Sequence, residues 1–201
     1  MFNDRYGLTQ EVLNGDKTQT RRVCKEQYWS FSDLVAARNG VFHFEKPKYE
    51  IGEVVAIAQS YHDLVMPICQ LQPMSQDKAN KLVVSPGWSN KLYIRADLMP
   101  HQIRITDIKV EQMQEISDED CVKEGILETY QSWYEPQTKE EVVGSNVVFV
   151  DNFGFNDVHN EIFRNYPTIK EAFAELIDRI SGKGTWGGNP WVFVYTFELI
   201  K

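Results

Sequence analysis

Apolar residues recur at helical spacing in two parts of the chain, and residues typical of helix ends bound these two parts and a third. Ser117 and Thr168 are typical N-caps, and acidic residues follow each of them, where they favour the positive end of the helix dipole. Gly15 and Gly182 are natural stops, because glycine is favoured just after a helix. The pattern therefore predicts helices over residues 8–14, 118–124 and 169–181.

Other runs have the patterns of strands. Residues 54–58 are continuously apolar, which predicts a buried strand, whereas residues 103–110 alternate apolar and polar, which predicts a half-buried one. Aromatic and β-branched residues predict a strand over residues 191–197, and residues 91–95 favour a shorter one.

Two stretches are irregular. Residues 66–90 contain three prolines and read as a long excursion, and residues 127–160 resemble an insertion with its own strand at 147–150. Short strands, few helices and no regular strand–helix alternation predict a single domain over residues 1–201. We expect an α+β fold, a small β-barrel with flanking helices, rather than a βαβ fold.

Composition limits the possible partners. The chain has 201 residues with 21 Lys and Arg against 29 Asp and Glu, a net charge of −8. Broad duplex DNA binding needs many cationic contacts with phosphates and is therefore disfavoured, although a local basic pocket remains compatible with this charge. We expect no membrane span, since no apolar stretch approaches about 20 residues, and no signal peptide, since the N-terminus has no apolar core.

The cysteines and histidines predict neither a disulfide framework nor a metal site. The three cysteines are far apart and never in C-x-x-C spacing, and the four histidines show no H-x-x-x-H spacing. We therefore expect reduced, buried thiols, a cytoplasmic location and no metal or other cofactor. These residues are Cys24, Cys69 and Cys121, with His43, His62, His101 and His159.

The segment at residues 15–22, Gly-Asp-Lys-Thr-Gln-Thr-Arg-Arg, holds the most informative cluster of polar residues. Lys17 and Thr20 would point to opposite faces of a regular strand but converge in a turn or a loop. Two interpretations are open: a pocket built around Lys17 and Thr20, or a solvated basic loop at the C-terminal end of the preceding helix.

This segment resembles the G-x-K-x-x-x-x-R signature of ASCH domains, which belong to the PUA-like β-barrel superfamily. Three other segments resemble family motifs in the same order, so that the resemblance covers about half of the chain. They are residues 49–58, with Glu53 in the place of the usual Asp; residues 105–125, with Cys121 in an alanine place; and residues 184–194, which are similar to the W-x-x-N-P-W-V ending of longer, phage-like ASCH proteins. The resemblance implies a PUA-like barrel that recognises a nucleoside or RNA.

The best understood short ASCH proteins are amidohydrolases that remove the acetyl group from N4-acetylcytidine with a Lys, a Thr and a Glu. The resemblance assigns these roles to Lys17, Thr20 and Glu124, and it matches Arg22 to the closing basic residue of the motif. These enzymes are about half the length of this chain. Residues 127–160, the insertion, are predicted to cover or rebuild the pocket.

Amide hydrolysis needs a nucleophile, a proton acceptor and a group that handles the leaving amine. Thr20 supplies a hydroxyl, but Lys17 must be neutral to accept a proton, so its pKa must fall from about 10.4 to about 7–8. Desolvation and the charges of Arg21 and Arg22 lower this pKa, whereas an ionised Glu124 raises it. We therefore assign Glu124 to proton handling at the amine, and Lys17 to activation of Thr20 or of a water.

Two other functions remain open. A binding module without turnover would hold phosphate or base edges with its cations, together with a stacking aromatic residue such as Trp186, which lies in a glycine-rich loop. An interaction protein would use the acidic patch at residues 111–120, which alternatively is a solvated helix face. The binding residues of the first alternative are Lys17, Arg21, Arg22 and Arg104, with Trp88, Tyr93 or Trp186 for stacking. Among the histidines, His101, directly before the strand that carries Arg104, is the candidate for a position near a pocket.

Overall fold

A computed structural model describes residues 4–24, 46–64, 75–134, 147–157 and 162–200. Within these ranges the α-helices are α1 (Leu8–Asn14), α2 (Gln76–Val83), α3 (Asp118–Lys123), α4 (Ile169–Ser181) and α5 (Thr185–Gly188). The strands are β1 (Gln19–Val23), β2 (Val54–Ala56), β3 (Gln102–Gln112), β4 (Leu127–Tyr134), β5 (Val147–Asp157), β6 (Ile162–Tyr166) and β7 (Trp191–Leu199).

The strands form two antiparallel sheets. The larger sheet has the order β1-β7-β3-β2 and curls into half a barrel, and the smaller has the order β4-β5-β6. Because every pairing in the described part of the chain is antiparallel, the fold is α+β without a βαβ unit.

Strand β7 lies between β1 and β3 and is buried on both faces. Val192 and Val194 pack in a core cluster with α4, while Phe193, Tyr195 and Phe197 belong to a second cluster on the opposite face. This division follows from the alternation of side chains along a strand. A strand buried on both faces is apolar at nearly every position, as the sequence of residues 191–197 shows.

Strand β3 changes phase at a β-bulge. Ile103 and Ile105 pair with positions that face the second cluster, the register then shifts between Ile105 and Asp107, and Ile108 again faces that cluster. A bulge adds one residue to one strand, so the alternation resumes on the other parity. Lys109 therefore lies on the face that carries Val194, opposite which it pairs.

The predicted helices are confirmed, with their caps. Gly15 follows α1 with a φ of 88°, the left-handed conformation that glycine adopts readily. Ser117 accepts a hydrogen bond from the backbone N–H of Asp120, and Thr168 accepts one from that of Glu171. Gly182 ends α4 as expected.

The strand predictions are confirmed in part. Residues 103–110 and 191–197 lie in β3 and β7, and the expected strand at 147–150 is the start of the longer β5. Residues 54–58 were expected to be a buried strand, but β2 covers Val54–Ala56 at the edge of the sheet, with Val54 47% exposed. Residues 91–95 do not form a strand; Lys91–Tyr93 is a 3₁₀ helix.

The described thiols, Cys24 and Cys121, are buried and take part in no disulfide within the described residues, and Cys69 lies outside those residues. Burial raises the pKa of the Cys121 thiol to about 12, so this thiol stays protonated and chemically inert. In the described part of the chain, no helix is long and apolar enough to span a membrane.

Candidate functional site

The turn after α1 places Lys17 beside the end of α3. The backbone N–H groups of Asp16 and Lys17 both donate to the carbonyl oxygen of Glu11, which reverses the chain after Gly15. The N–H of Thr18 donates to the carbonyl of Lys123, and β1 starts at the next residue. The Lys17 side chain is thereby held next to Glu124, 107 residues later in the sequence.

Lys17 and Glu124 form a buried pair. The Lys17 Nζ lies 2.7 Å from Glu124 Oε2 and 2.7 Å from the backbone carbonyl oxygen of Glu124. The two side chains are only 2% and 5% exposed. Gly125, with a φ of 98°, lies against this pair; a Cβ there would stand 3.6 Å from Lys17 Cδ and 3.2 Å from Leu8 Cδ2.

Arg21 binds the other oxygen of the same carboxylate. Its Nη1 lies 2.9 Å from Glu124 Oε1, and its Nη2 lies 2.6 Å from Glu111 Oε1 and 3.2 Å from Asp120 Oδ2. The Arg21 side chain is fully buried and its guanidinium carbon is 5.9 Å from the ring centre of Phe173.

The sheet register explains how Arg21 reaches Glu111. Arg21 pairs with Val194 and Glu111 pairs with Val192, so both charged residues lie on the face of β7 that carries the two valines. This placement of Glu111 depends on the bulge in β3, which sets the parity of the residues after it.

Two partly exposed lysines extend this network towards solvent. Lys109 lies 2.9 Å from Glu111 and 3.1 Å from Asp120, and Lys123 lies 2.9 Å from Asp120. Burial raises the pKa of Asp120, but hydrogen bonds from Lys123 and Lys109 outweigh burial and hold the pKa at about 2. With Lys17, Arg21 and Glu124, four cations face three carboxylates, a net charge of +1.

The pKa values of Lys17 and Glu124 shift in the same direction. Burial lowers the pKa of Lys17, the charges of Arg22 and Arg21 lower it further, and the pairing with Glu124 opposes both without reversing the direction. Burial raises the pKa of Glu124, but Lys17 and Arg21 outweigh it and hold the pKa below its ordinary value. Glu124 is therefore anionic, and the positive charge on Lys17 is held less firmly than on an ordinary lysine.

A cavity of about 480 Å³ opens beside this pair. One wall is apolar, with Phe173, Leu176 and Ile177 from α4. The cavity is lined by Lys17, Thr20, Arg21, Arg22 and Glu124, together with Arg5, Leu8, Ser89, Asn90, Lys91, Phe173, Leu176, Ile177, Ile180 and Ser181. The three predicted catalytic residues and two of the predicted binding residues thus share one cavity.

Two other predicted binding residues lie elsewhere. The Arg104 side chain is 48% exposed and pairs with Glu198 at 3.0 Å across the sheet. Trp186 packs edge-on against Phe173, with ring centres 5.9 Å apart, and its backbone N–H donates to Asp178. Neither Arg104 nor Trp186 is among the described residues that line the cavity.

Several residues of the site have no signal in the sequence pattern. Glu111 and Asp120 belong to the acidic patch, but the structure buries them, with side chains 13% and 10% exposed, against Arg21 and Lys109. Their i and i+9 spacing crosses the end of β3, a 3₁₀ helix and the start of α3, so no periodicity relates them. The rim residues Arg5 and Lys91 likewise come from separate segments of the chain.

In the described ranges, no group of three or more His, Cys, Asp or Glu residues is arranged so that it could hold a metal ion. Comparisons of the chain with protein-family models, curated proteins and solved structures find no match. The resemblance to ASCH domains and the PUA-like barrel stays a prediction from the motifs, and the cavity is the feature from which a function is inferred.

Proposed function

We propose that this cavity binds a nucleobase-like ligand and that the protein hydrolyses an N-acyl amide on a modified base, as in N4-acetylcytidine. The observation that carries this proposal is the meeting of Lys17, Thr20 and Glu124 on one cavity of about 480 Å³ with an apolar wall. Small-molecule sites occupy about 300–1,000 Å³ and combine apolar walls with a few polar groups.

The hydrogen bonds of Lys17 fit an amine that acts as a base. A neutral lysine amine has two N–H bonds and one lone pair, and Glu124 supplies two acceptors for Lys17, its Oε2 and its backbone oxygen. The remaining tetrahedral position on Nζ then holds the lone pair, and Lys17 lines the cavity. Burial favours this neutral form by lowering the pKa of Lys17.

The proposed reaction begins when Lys17 takes the proton of the Thr20 hydroxyl, or of a water, as that oxygen attacks the acyl carbon. The C–N bond then breaks, and the leaving amine takes up a proton that Glu124 relays from the Lys17 ammonium. With Thr20 as nucleophile, a water hydrolyses the resulting acetyl ester and returns the proton to Thr20. The products are acetate and the free amino base.

Arg21 acts in this scheme as a positioning residue. It holds Oε1 of Glu124 while Lys17 contacts Oε2, so the carboxylate keeps one orientation. Because Arg21 shares the charge of Glu124, this carboxylate stabilises the Lys17 ammonium less than an unshared carboxylate does.

A non-catalytic module that binds RNA or a modified nucleotide is the second candidate. The observation that favours it is the 2.7 Å contact between Lys17 and Glu124, since an ion pair at rest offers no proton acceptor. For either function we propose a cytoplasmic location, where nucleosides and RNA occur and where buried thiols stay reduced.

Incubation with N4-acetylcytidine and chromatographic detection of cytidine and acetate test the proposal. We expect Lys17→Ala and Thr20→Ala to lose activity by about 100-fold or more, the range of a general base or a nucleophile. Lys78→Ala, at an exposed lysine of α2, is the matched control. Full activity in Lys17→Ala contradicts this mechanism, full activity in Thr20→Ala contradicts Thr20 as the nucleophile, and binding without product supports the binding module.

A further inference from the structure

The charge around the cavity contrasts with that of the whole chain. Among the described residues that line the cavity are five cations and one carboxylate, Glu124. The chain as a whole carries a net charge of −8. Positive charge is therefore concentrated at this cavity, and a field of that sign attracts an anionic ligand.

The cations form two layers. Lys17 and Arg21 are buried and bind Glu124, whereas Arg5 and Arg22 are exposed and Lys91 is half-buried at the rim. The inner network has a net charge of +1 when Lys17 is protonated and of zero when Lys17 is neutral, so it carries no excess of negative charge.

The rim cations are held by three separate elements. Arg5 precedes α1 and lies over the ring of Tyr6, and Arg22 is on β1. The Lys91 Nζ lies 3.3 Å from the Thr9 hydroxyl oxygen, which ties the 3₁₀ helix of Lys91 to α1. All three cations line the cavity, whose lining also includes the polar residues Ser89 and Asn90.

We propose that this rim, formed by Arg5, Arg22 and Lys91, binds a phosphate group, so that the cavity takes a phosphorylated nucleoside in preference to a neutral one. The inference rests on the proposed function for the base. A phosphate carries a charge of about −1.5 to −2, and guanidinium groups match its oxygens through paired N–H donors. The apolar wall of α4 remains for the base.

The phosphate can belong to a mononucleotide or to an oligonucleotide, and a second cleft separates these sources. This cleft, of about 380 Å³, is lined by Arg22, Lys46, Lys48 and Tyr49 among others. Arg22 lines both the cleft and the cavity. An oligonucleotide would extend from the rim along Lys46 and Lys48, which a mononucleotide does not reach.

Calorimetric titration of the whole chain tests the inference with four probes: N4-acetylcytidine, its 5′-monophosphate, a short RNA that contains the modified base, and ribose 5-phosphate, which has no base. We expect the monophosphate to bind at least about tenfold more tightly than the nucleoside, the gain of one charge-assisted hydrogen bond. In Arg5→Gln/Lys91→Gln this ratio should fall towards one. Lys78→Gln should keep it, and high salt should reduce it.

Each outcome has a distinct meaning. Equal affinity for the nucleoside and its phosphate, or a ratio unchanged in Arg5→Gln/Lys91→Gln, overturns the rim inference. If ribose 5-phosphate binds, if Arg5→Gln/Lys91→Gln weakens that binding, and if no nucleoside binds, the result supports phosphate binding at the rim. It then contradicts the proposed recognition of a base. No binding of any probe contradicts both. A further gain for RNA that Lys46→Gln/Lys48→Gln removes identifies the oligonucleotide as the source.

Discussion

The two faces of the larger sheet are covered by different kinds of side chain. On one face Phe193, Tyr195 and Phe197 of β7 pack in an apolar cluster. On the other face, the neighbouring strands place Arg21 and Glu111 on either side of the β7 valines, where they form part of a buried ion network. A single strand thus separates an apolar cluster from a face on which a second apolar cluster adjoins an ion network.

This difference indicates which face serves function. Apolar burial stabilises a fold by about 25 cal/mol per Å². Buried ion pairs are often no more stabilising than apolar residues of similar volume, because each ion loses its hydration. The network around Arg21 therefore has little advantage for stability alone. It does hold Lys17 and Glu124 at the cavity wall, which the apolar face does not do.

Removal of Arg21 should disrupt the ion network and should have the largest effect on the stability of the protein. We expect Arg21→Met to lower the free energy of unfolding by about 5 kcal/mol, since loss of one partner leaves buried carboxylates unpaired. In the wild type, Glu124 and Asp120 have lowered pKa values, so their stabilisation is present above pH 4.5 and is lost as the pH falls towards 2. The deficit of the variant should therefore shrink in acid.

Urea denaturation at pH 7 and pH 4 measures this change, with Arg21→Met/Glu124→Gln as the companion variant. Removal of the unpaired charge in the double variant should recover part of the loss. A deficit that is the same at both pH values, with no recovery in the double variant, contradicts the charged-face interpretation.

Truncation of a side chain on the apolar face should destabilise the protein nearly as much, but this loss of stability should not depend on pH. Phe197, only 3% exposed, pairs with Ile105 on β3. We expect Phe197→Ala to lower the free energy of unfolding by about 3–5 kcal/mol, the range for loss of a buried aromatic ring. The same denaturation at the two pH values checks it. A loss that changes with pH would show that the two faces are coupled.

A smaller effect is expected from a substitution at the cavity, Arg22→Gln. Burial lowers the pKa of Lys17, and the charge of Arg22 lowers it further. Activity that needs neutral Lys17 rises with pH through this pKa, so Arg22→Gln should move the acid limb of kcat/KM to higher pH. Profiles of kcat/KM for the wild type, Arg22→Gln and the distant Lys78→Gln test this. The acid limb should stay in place in Lys78→Gln, and an acid limb that is also unmoved in Arg22→Gln contradicts the role of Arg22.

The smallest effect is expected at the exposed edge of the sheet. Arg104 and Glu198 form a surface pair with side chains 48% and 55% exposed. We expect Arg104→Gln to change the free energy of unfolding by less than about 1 kcal/mol, as for other exposed pairs. Thermal unfolding measures the change, and a parallel nucleoside titration examines the predicted binding role of Arg104. A clear loss of affinity would return this residue to ligand binding.

Local patterns predicted the helices and the central strands well, and one sign of the bulge was already present in them. Ile103 and Ile105 are two residues apart, but Ile108 follows after three, which breaks strict alternation. The errors arose where packing overrides local preference. Residues 54–58 are apolar enough for a buried strand, yet among the described strands β2 pairs only with β3, and Val54 is exposed.

The sequence predicted some contacts of the candidate site and missed others, again because local patterns do not show tertiary packing. Lys17, Thr20 and Glu124 were chosen by motif resemblance, and Arg21 by its charge. No periodicity indicated that Arg21 would be fully buried by three carboxylates and thus hold Glu124 in place. The same side chain would be a solvated ligand contact on a loop, but on this buried strand face it contacts three carboxylates.

The sequence by itself determined the helix ends at Gly15 and Gly182, the apolar character of β7 and the excess of acidic residues over the whole chain. The helix ends and the character of β7 depend on the preferences of neighbouring residues, and the acidic excess depends on composition alone. Only the tertiary structure decided that Lys17 meets Glu124, because contacts across 107 residues depend on strand register, on the bulge and on how α3 packs against β1. The cavity follows from that meeting, since it lies between elements that no local pattern relates.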